Sequence, residues 1–181
     1  MTATVGILIT GAALEAATTD GLAALPRETG GILVGFRAPD LIVVTRALTV
    51  PDPRSSRHSY RRHRRRAQEQ MAAAGIDAAP AVGYVGEWHT HPADCPPSRT
   101  DIRALTATVR LTTTPVALLV LAYRADRSLQ THGLTAIREP WPVPAVSPVH
   151  IFSVDPDVTD ENATSLEAEA TEALTHPEEA R

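Results

Sequence analysis

The sequence predicts an α+β domain, with mixed strands and three helices around one sheet. Three observations predict it. Short apolar runs such as Gly30 to Phe36 and Val116 to Arg124 are rich in Val, Ile and Leu and bounded by glycine or proline, as buried strands are. Three other segments carry the alanine, leucine or arginine content of helices. Hydrophobic residues make 43% and charged residues 21% of 181 residues, a composition and length that suit one soluble domain with a real core.

In chain order, Val5 to Thr10 reads as a short strand. Ala12 to Ala24 reads as a helix that Pro26 stops. Gly30 to Phe36 and Leu41 to Val50 form a hairpin across Arg37 to Asp40, closed by Pro51 and Pro53. Tyr60 to Ala74 reads as a helix, basic in its first half, with Gly75 as its C′ residue. Ala81 to His91 is a strand that ends at Pro92, and Ala93 to Pro97 is a loop. Thr100 to Thr112 is helical; Val116 to Arg124 and Leu129 to Arg138 are strands joined by a turn at Asp126 to Ser128. These elements place one domain at residues 1–139. Residues 140–181 read as a proline-rich, then acidic, largely disordered tail.

The formal net charge of -4 gives the whole molecule no strong pull toward nucleic acid or a membrane. The average hides an asymmetry. Arg54 to Arg66 carry seven arginines and no acid, whereas Asp155 to Arg181 carry nine acids and one arginine. The arginine run reads first as a solvated helix face, and next as a docking surface for an acidic partner or for the chain's own acidic tail. No fold signal for nucleic-acid binding accompanies it. All seventeen Lys and Arg residues are arginine, which fits GC-rich codon usage. The single cysteine, Cys95, excludes an intrachain disulfide and fits a reducing compartment. No basic n-region precedes the first apolar run, and no apolar stretch reaches the roughly 18 residues of a membrane span. The expectation is a cytoplasmic protein.

The chemistry concentrates in Gly86-Glu87-Trp88-His89-Thr90-His91-Pro92, followed by Ser98-Arg99-Thr100-Asp101. On a strand, residues i and i+2 share a face, so His89 and His91 project together and Trp88 points to the opposite, core side. Pro92 ends the ladder, and the loop re-enters as a helix whose first turn carries Asp101. Two imidazoles and one carboxylate give zinc three protein ligands and leave a fourth position for water, the pattern of a catalytic site. Such a metal makes water acidic and polarises a carbonyl, and a base must take the proton. Two glutamates compete for that role. Glu28 stands at an element boundary before Gly30-Gly31, and Glu87 shares the histidine face. Ser98 has two compatible readings, an oxyanion donor and the N-cap of a Ser-x-x-Asp capping box. Cys95, in the loop over the site, reads as a plain thiol; its alternative is a thiolate in the open metal position. His58, His63, His132, His150 and His176 have no ligand-like spacing.

Glu28, His89-Thr90-His91-Pro92, Ser98 and Asp101, with Gly30-Gly31-Ile32-Leu33-Val34-Gly35 after the glutamate, resemble the JAMM motif of the JAB/MPN family. The resemblance covers Val5 to Arg138. It implies a cytidine-deaminase-like α-β-α layered fold, a zinc ion held by His89, His91 and Asp101, Glu28 as the base in preference to Glu87, and Ser98 as oxyanion support. The loop from Pro92 to Ser98 is slightly shorter than the family's.

The Gly-Glu-Trp-His-Thr-His-Pro version is most similar to bacterial stand-alone JAB proteins. Some of these accompany ubiquitin-activating-like and ubiquitin-conjugating-like enzymes in one operon. The function implied is cleavage after the C-terminus of a ubiquitin-like protein, releasing it from conjugates or trimming its precursor. The extended, glycine-rich C-terminus would add to a sheet edge beside the metal. Two other readings stand beside it: hydrolysis of small adducts on a sulfur-carrier protein, and a scaffold that has lost its chemistry. The intact site residues argue against the scaffold.

Overall fold

The computed structural model describes residues 5–76, 82–138 and 144–154. Their elements run β1 (Gly6–Thr10), α1 (Gly11–Ala24), β2 (Gly30–Ala38), β3 (Leu41–Thr49), α2 (Arg64–Ala73), β4 (Gly83–His91), α3 (Arg99–Val109), β5 (Val116–Tyr123), β6 (Leu129–Ile137), β7 (Ala145–Val149) and β8 (Ile151–Val154). The strands form one sheet in the order β7-β6-β5-β4-β2-β3-β1-β8. It is mixed: β4 pairs β5 in parallel and β2 in antiparallel, and β1 runs parallel to both β3 and β8. The α+β expectation and its three helices hold.

Alternation along the strands sorts the core into layers. Leu33, Ile42, Val44, Trp88, Leu119 and Leu121 face Ala13 and Ala17 of α1. Ile32 and Val34 face Ala67 of α2, and Leu118 and Val120 face Leu105 and Val109 of α3. Helix α1 therefore covers one face, and α2 with α3 the other. Small residues at the α1 contact (Ala13, Ala17, Gly21) let its backbone approach the sheet closely; a side chain at Gly21 would strike the Tyr123 hydroxyl and the Thr90 methyl. Thr10 caps α1 by accepting the Ala13 N–H.

β7 and β8 occupy opposite ends of the strand order, yet only His150 separates them in sequence. The two ends of the sheet must therefore meet. The Thr135 hydroxyl of β6 donates to the Val5 carbonyl just before β1 (3.1 Å), across the same seam. The sheet curls around α1, and Val149 and Ile151 join the α1-side core from either side of the seam.

Three expectations are corrected here. Residues 145–154, placed by composition in the tail from residue 140, form two strands of the sheet; the tail beyond Val154 lies outside the described residues. Helix α2 begins at Arg64 rather than Tyr60, because Tyr60, Arg61 and Arg62 are drawn into long-range bonds. Gly75 is the expected C′ residue, with φ +71°. Among the described residues the sheet offers no free edge beside the histidines: β4 is paired on both sides, and the ends of the strand order are β7 and β8. A chain ending at Arg138 loses both closing strands and is expected to lose more than about 4 kcal/mol, beyond the reach of ordinary single substitutions. One ending at Val154 should stay folded and melt within a few degrees of the full chain, since the acidic remainder has few large apolar groups to bury. Thermal melts of the two truncations check this.

Candidate active site

His89 and His91 stand at the C-terminal end of β4, both buried, on the face opposite Trp88, which is fully enclosed under α1. Their Nε2 atoms are 3.1 Å apart. The imidazole of His91 is oriented from behind. Its Nδ1 lies 3.1 Å from the Cys95 carbonyl; a carbonyl has no proton to give, so Nδ1–H donates and Nε2 of the neutral ring keeps its lone pair.

Asp101 is the N3 residue of α3, and Ser98 is its N-cap. The two close a capping box: the Ser98 N–H donates to Asp101 Oδ2 (2.6 Å), and the Asp101 N–H donates to Ser98 Oγ (3.2 Å). The box fixes the carboxylate with one oxygen 3.4 Å from His89 Nε2 and the other 3.4 Å from His91 Nε2. His89, His91 and Asp101 thus form a donor set able to hold one metal ion, their ligand atoms all within 4.8 Å of one another. Burial alone would push the Asp101 carboxyl up, but hydrogen bonds from both histidines and from Ser98 hold it well below the usual carboxylate range. The bond to Asp101 in turn raises His91, against the opposing effect of burial.

Glu28 reaches the same place from the segment before β2. Its N–H donates to the Ser56 carbonyl (2.7 Å). Its neighbour Thr29 is locked to the histidine strand by three bonds with Thr90: Thr29 N–H to Thr90 Oγ1 (2.9 Å), Thr90 N–H to the Thr29 carbonyl (2.8 Å), and the Thr90 hydroxyl to that carbonyl (3.4 Å). Burial raises the Glu28 carboxyl above its ordinary value, partly offset by His89 and His91. Gly30 pairs with His89, and a Cβ there would fall 2.4 Å from the Trp88 carbonyl and 2.7 Å from the Tyr60 ring. Only glycine lets Tyr60 lie against this junction.

A cleft of about 680 Å³ holds Glu28, Glu87, His89 and Asp101 along with Arg54, Tyr60, Arg61 and Arg62. An adjoining one of about 480 Å³ holds Glu28, His58, His91, Cys95, Ser98 and Asp101. Glu28 and Asp101 line both. The structure therefore brings all five sequence-chosen residues (Glu28, His89, His91, Ser98, Asp101) to one place. Glu87 shares the histidine face as alternation predicts, but its Oε1 is already engaged by Arg62 (2.9 Å), Tyr84 (3.1 Å) and Thr108 (3.5 Å). Cys95 lies behind His91, with Sγ 3.2 Å from Nδ1 rather than beside the ligand nitrogens. Its thiol is raised, first by desolvation and then by the Glu28 and Asp101 carboxylates, which favours the plain thiol.

Sequence reasoning missed Thr90, Tyr60 and Arg62. Thr90 looked like the passive middle of His-Thr-His, but it ties Glu28's segment to β4. Thr90→Val removes the acceptor of the Thr29 N–H and leaves that donor short of a partner, at a cost of about 1–3 kcal/mol. A lower melting temperature with unchanged metal content is the expected result; an unshifted melt would deny the lock. Arg62, expected on a solvated helix face, is half-buried in the cleft wall, paired with Glu87 and 6.0 Å from the centroid of the Tyr84 ring.

Comparison with known proteins agrees with this geometry. Residues 11–139 match the family described as prokaryotic homologs of the JAB domain. The chain is 33% identical over 105 residues to a CD-NTase/cGAS isopeptidase of Enterobacter hormaechei subsp. hoffmannii (strain UCI 50); the match covers 56% of this chain and 57% of that protein's length. Its fold is similar to the solution structure of a Desulfitobacterium hafniense protein, with a TM-score of 0.57, 20% identity, and coverage of 82% of this chain and 93% of the other. Among the described residues no helix is long and apolar enough to cross a membrane. The family match spans α1 through β6 and includes every residue of the His-His-Asp cluster, so the chain belongs to the prokaryotic homologs of the JAB domain.

Proposed function

We propose that the protein is a zinc-dependent isopeptidase that cleaves after the C-terminus of a ubiquitin-like protein, with His89, His91 and Asp101 as metal ligands, Glu28 as general base and Ser98 as oxyanion donor. The spacing of the ligand atoms carries the reading. Tetrahedral zinc with bonds of about 2.0–2.1 Å needs donor atoms roughly 3.3 Å apart; the two Nε2 atoms are 3.1 Å apart, and each lies 3.4 Å from a different oxygen of the Asp101 carboxylate, so the three residues surround one ion-sized site. A neutral imidazole pair with one carboxylate is also the donor chemistry of a catalytic zinc site. The name of the 33%-identical relative supports hydrolysis of conjugates as the reaction.

Zinc at this position would polarise the scissile carbonyl and make a water molecule acidic near neutrality. The chain's own residues supply the remaining steps. Glu28, raised by burial, accepts the proton of the attacking water and returns it to the leaving amine. Ser98 uses its oxygen to cap α3, accepting from the Asp101 N–H, and its O–H, which faces the Asp101 carboxylate, would turn to donate to the oxyanion. The Cys95 carbonyl holds His91 in the tautomer that presents Nε2. Glu87, the competing carboxylate, is paired with Arg62.

The test is cleavage of a ubiquitin-like protein joined to a lysine side chain. The protein should release the free C-terminus, lose the activity to a chelator, and regain it with stoichiometric zinc. Full activity in metal-free protein would overturn the assignment. Activity confined to small thioacid or amino-acid adducts on a carrier protein would move the substrate to the sulfur-carrier reading.

A further inference from the structure

The acidic end of the chain fits the wall of its own cleft. We infer that residues 155–181 dock on an arginine face formed by Arg54, Arg57 and Arg61. The inference deepens the proposed reading of the same cleft.

The face is built, not incidental. Asp52, itself buried, accepts the backbone N–H groups of Arg54 (2.9 Å) and Arg61 (3.0 Å) and lies 3.4 Å from His63 Nε2. The Tyr60 hydroxyl donates to the Val50 carbonyl (2.9 Å), and Ser56 pairs with Ser59 while accepting from Glu28 N–H. These bonds spend the loop's own acid on backbone and leave the guanidinium groups outward. Arg54 and Arg61 line the larger cleft and Arg57 the smaller. All three are exposed, and none has a carboxylate partner among the described residues. Arg62, by contrast, is neutralised by Glu87.

The occupant follows from charge and from where the described chain stops. Residues 155–181 hold nine acids and one arginine, the strongest acidic run in the sequence. The strand before them, β8, is parallel to β1 and so to β3; β3 and β4 are both antiparallel to β2. The chain therefore leaves Val154 toward the rim of the sheet that carries His89 and His91. Twenty-seven residues reach up to about 90 Å when extended, against a radius of gyration of roughly 15 Å for a domain of this size, so length is no obstacle. A tethered segment also acts at an effective concentration near millimolar, enough to make a weak, salt-screened contact matter within one molecule.

The test is calorimetric titration with a synthetic peptide of residues 155–181, which requires neither metal nor turnover, so its failure is separable from failure of the proposed activity. Three full-length proteins are compared: the natural chain, one with the nine tail acids changed to their amides, and that same chain carrying Arg54→Gln, Arg57→Gln and Arg61→Gln. The peptide should bind the neutral-tail protein, more weakly at high salt. It should bind the natural chain about tenfold less tightly, because the tethered tail competes, and the triple arginine variant not measurably. Equal affinity for the first two proteins, or binding that survives the arginine changes, overturns the inference. If the arginine changes raise KM for a protein substrate while tail charge alters nothing, the face belongs to an acidic substrate surface and the tail assignment is wrong.

Discussion

Glu28→Gln is expected to lower kcat by about 10²–10⁴-fold, the range that general-base catalysis supplies, while the metal content and melting temperature stay near those of the natural chain. The amide has the shape of the carboxylate but cannot accept the proton of the attacking water. The structure gives the test a matched control in Glu87, which lines the same cleft. Glu87 already accepts from Arg62, Tyr84 and Thr108, so Glu87→Gln should weaken the Arg62 pairing and cost stability rather than turnover. The reverse pattern, an active Glu28→Gln and an inactive Glu87→Gln, would show that the wrong carboxylate had been chosen. The pH profile offers a second check. Burial raises Glu28 in the metal-free protein, whereas the charge of a bound metal opposes that rise; a base must be ionised to act, so the kcat of the zinc-loaded protein should fall as pH drops through the Glu28 titration. Glu28→Gln should remove that acidic limb.

The His-His-Asp cluster was legible because its geometry is local. Period-2 alternation puts His89 and His91 on one face, and Ser98-x-x-Asp101 announces both a helix start and a carboxylate in its first turn. Trp88 was placed in the core by the same alternation. The choice of Glu28 over Glu87 was not local: it rested on resemblance, and its physical reason, the commitment of Glu87 to Arg62, needs residues far apart in sequence. Alternation also breaks upstream. The β2–β4 register shifts between Leu33/Gly86 and Val34/Tyr84, leaving Val85 as the extra residue. The bulge turns Val85 into the α1-side core with Trp88 and brings Tyr84 within reach of Glu87. No period in the sequence marks it.

The same lesson applies to the two segments that were misread. Tyr60 to His63 have helical neighbours and no proline, but Val50, Asp52 and Glu87 hold them in a loop; tertiary bonds override propensity. β7 contains Pro148 and is separated from β8 by a single residue, so neither looks like a strand alone. Each becomes one only because β6 and β1 present their edges at the seam of the curled sheet. The elements that complete the fold and wall the cleft are those whose partners lie farthest away along the chain.

Asp101→Asn is expected to weaken zinc binding by more than about 100-fold, exceeding the upper end of losses seen when only a supporting residue around a metal is changed, and to abolish cleavage with it. Asp101 has two separable roles, one proposed as the third metal donor and one seen as half of the α3 capping box. Ser98→Ala breaks the box from the other side. It should cost about 1 kcal/mol of stability and leave zinc near one per chain, with a loss of kcat only to the extent that the hydroxyl serves the oxyanion. Metal analysis after dialysis distinguishes the roles: a capping residue alone would make the two variants alike, whereas a ligand makes only Asp101→Asn metal-poor. pH adds an independent sign. In the metal-free protein the hydrogen bond to Asp101 raises His91, and a raised histidine holds its proton to higher pH, where it competes with the metal for Nε2. Zinc affinity should therefore decline as pH falls through the raised His91 value, by up to about tenfold per unit for each proton displaced. In Asp101→Asn the histidine loses the group that raises it, so the remaining weak affinity should begin to decline only at lower pH. An unchanged pH dependence in that variant would mean that Asp101 does not set the histidine's titration, and the coupling drawn between the α3 cap and the metal ligands would fail.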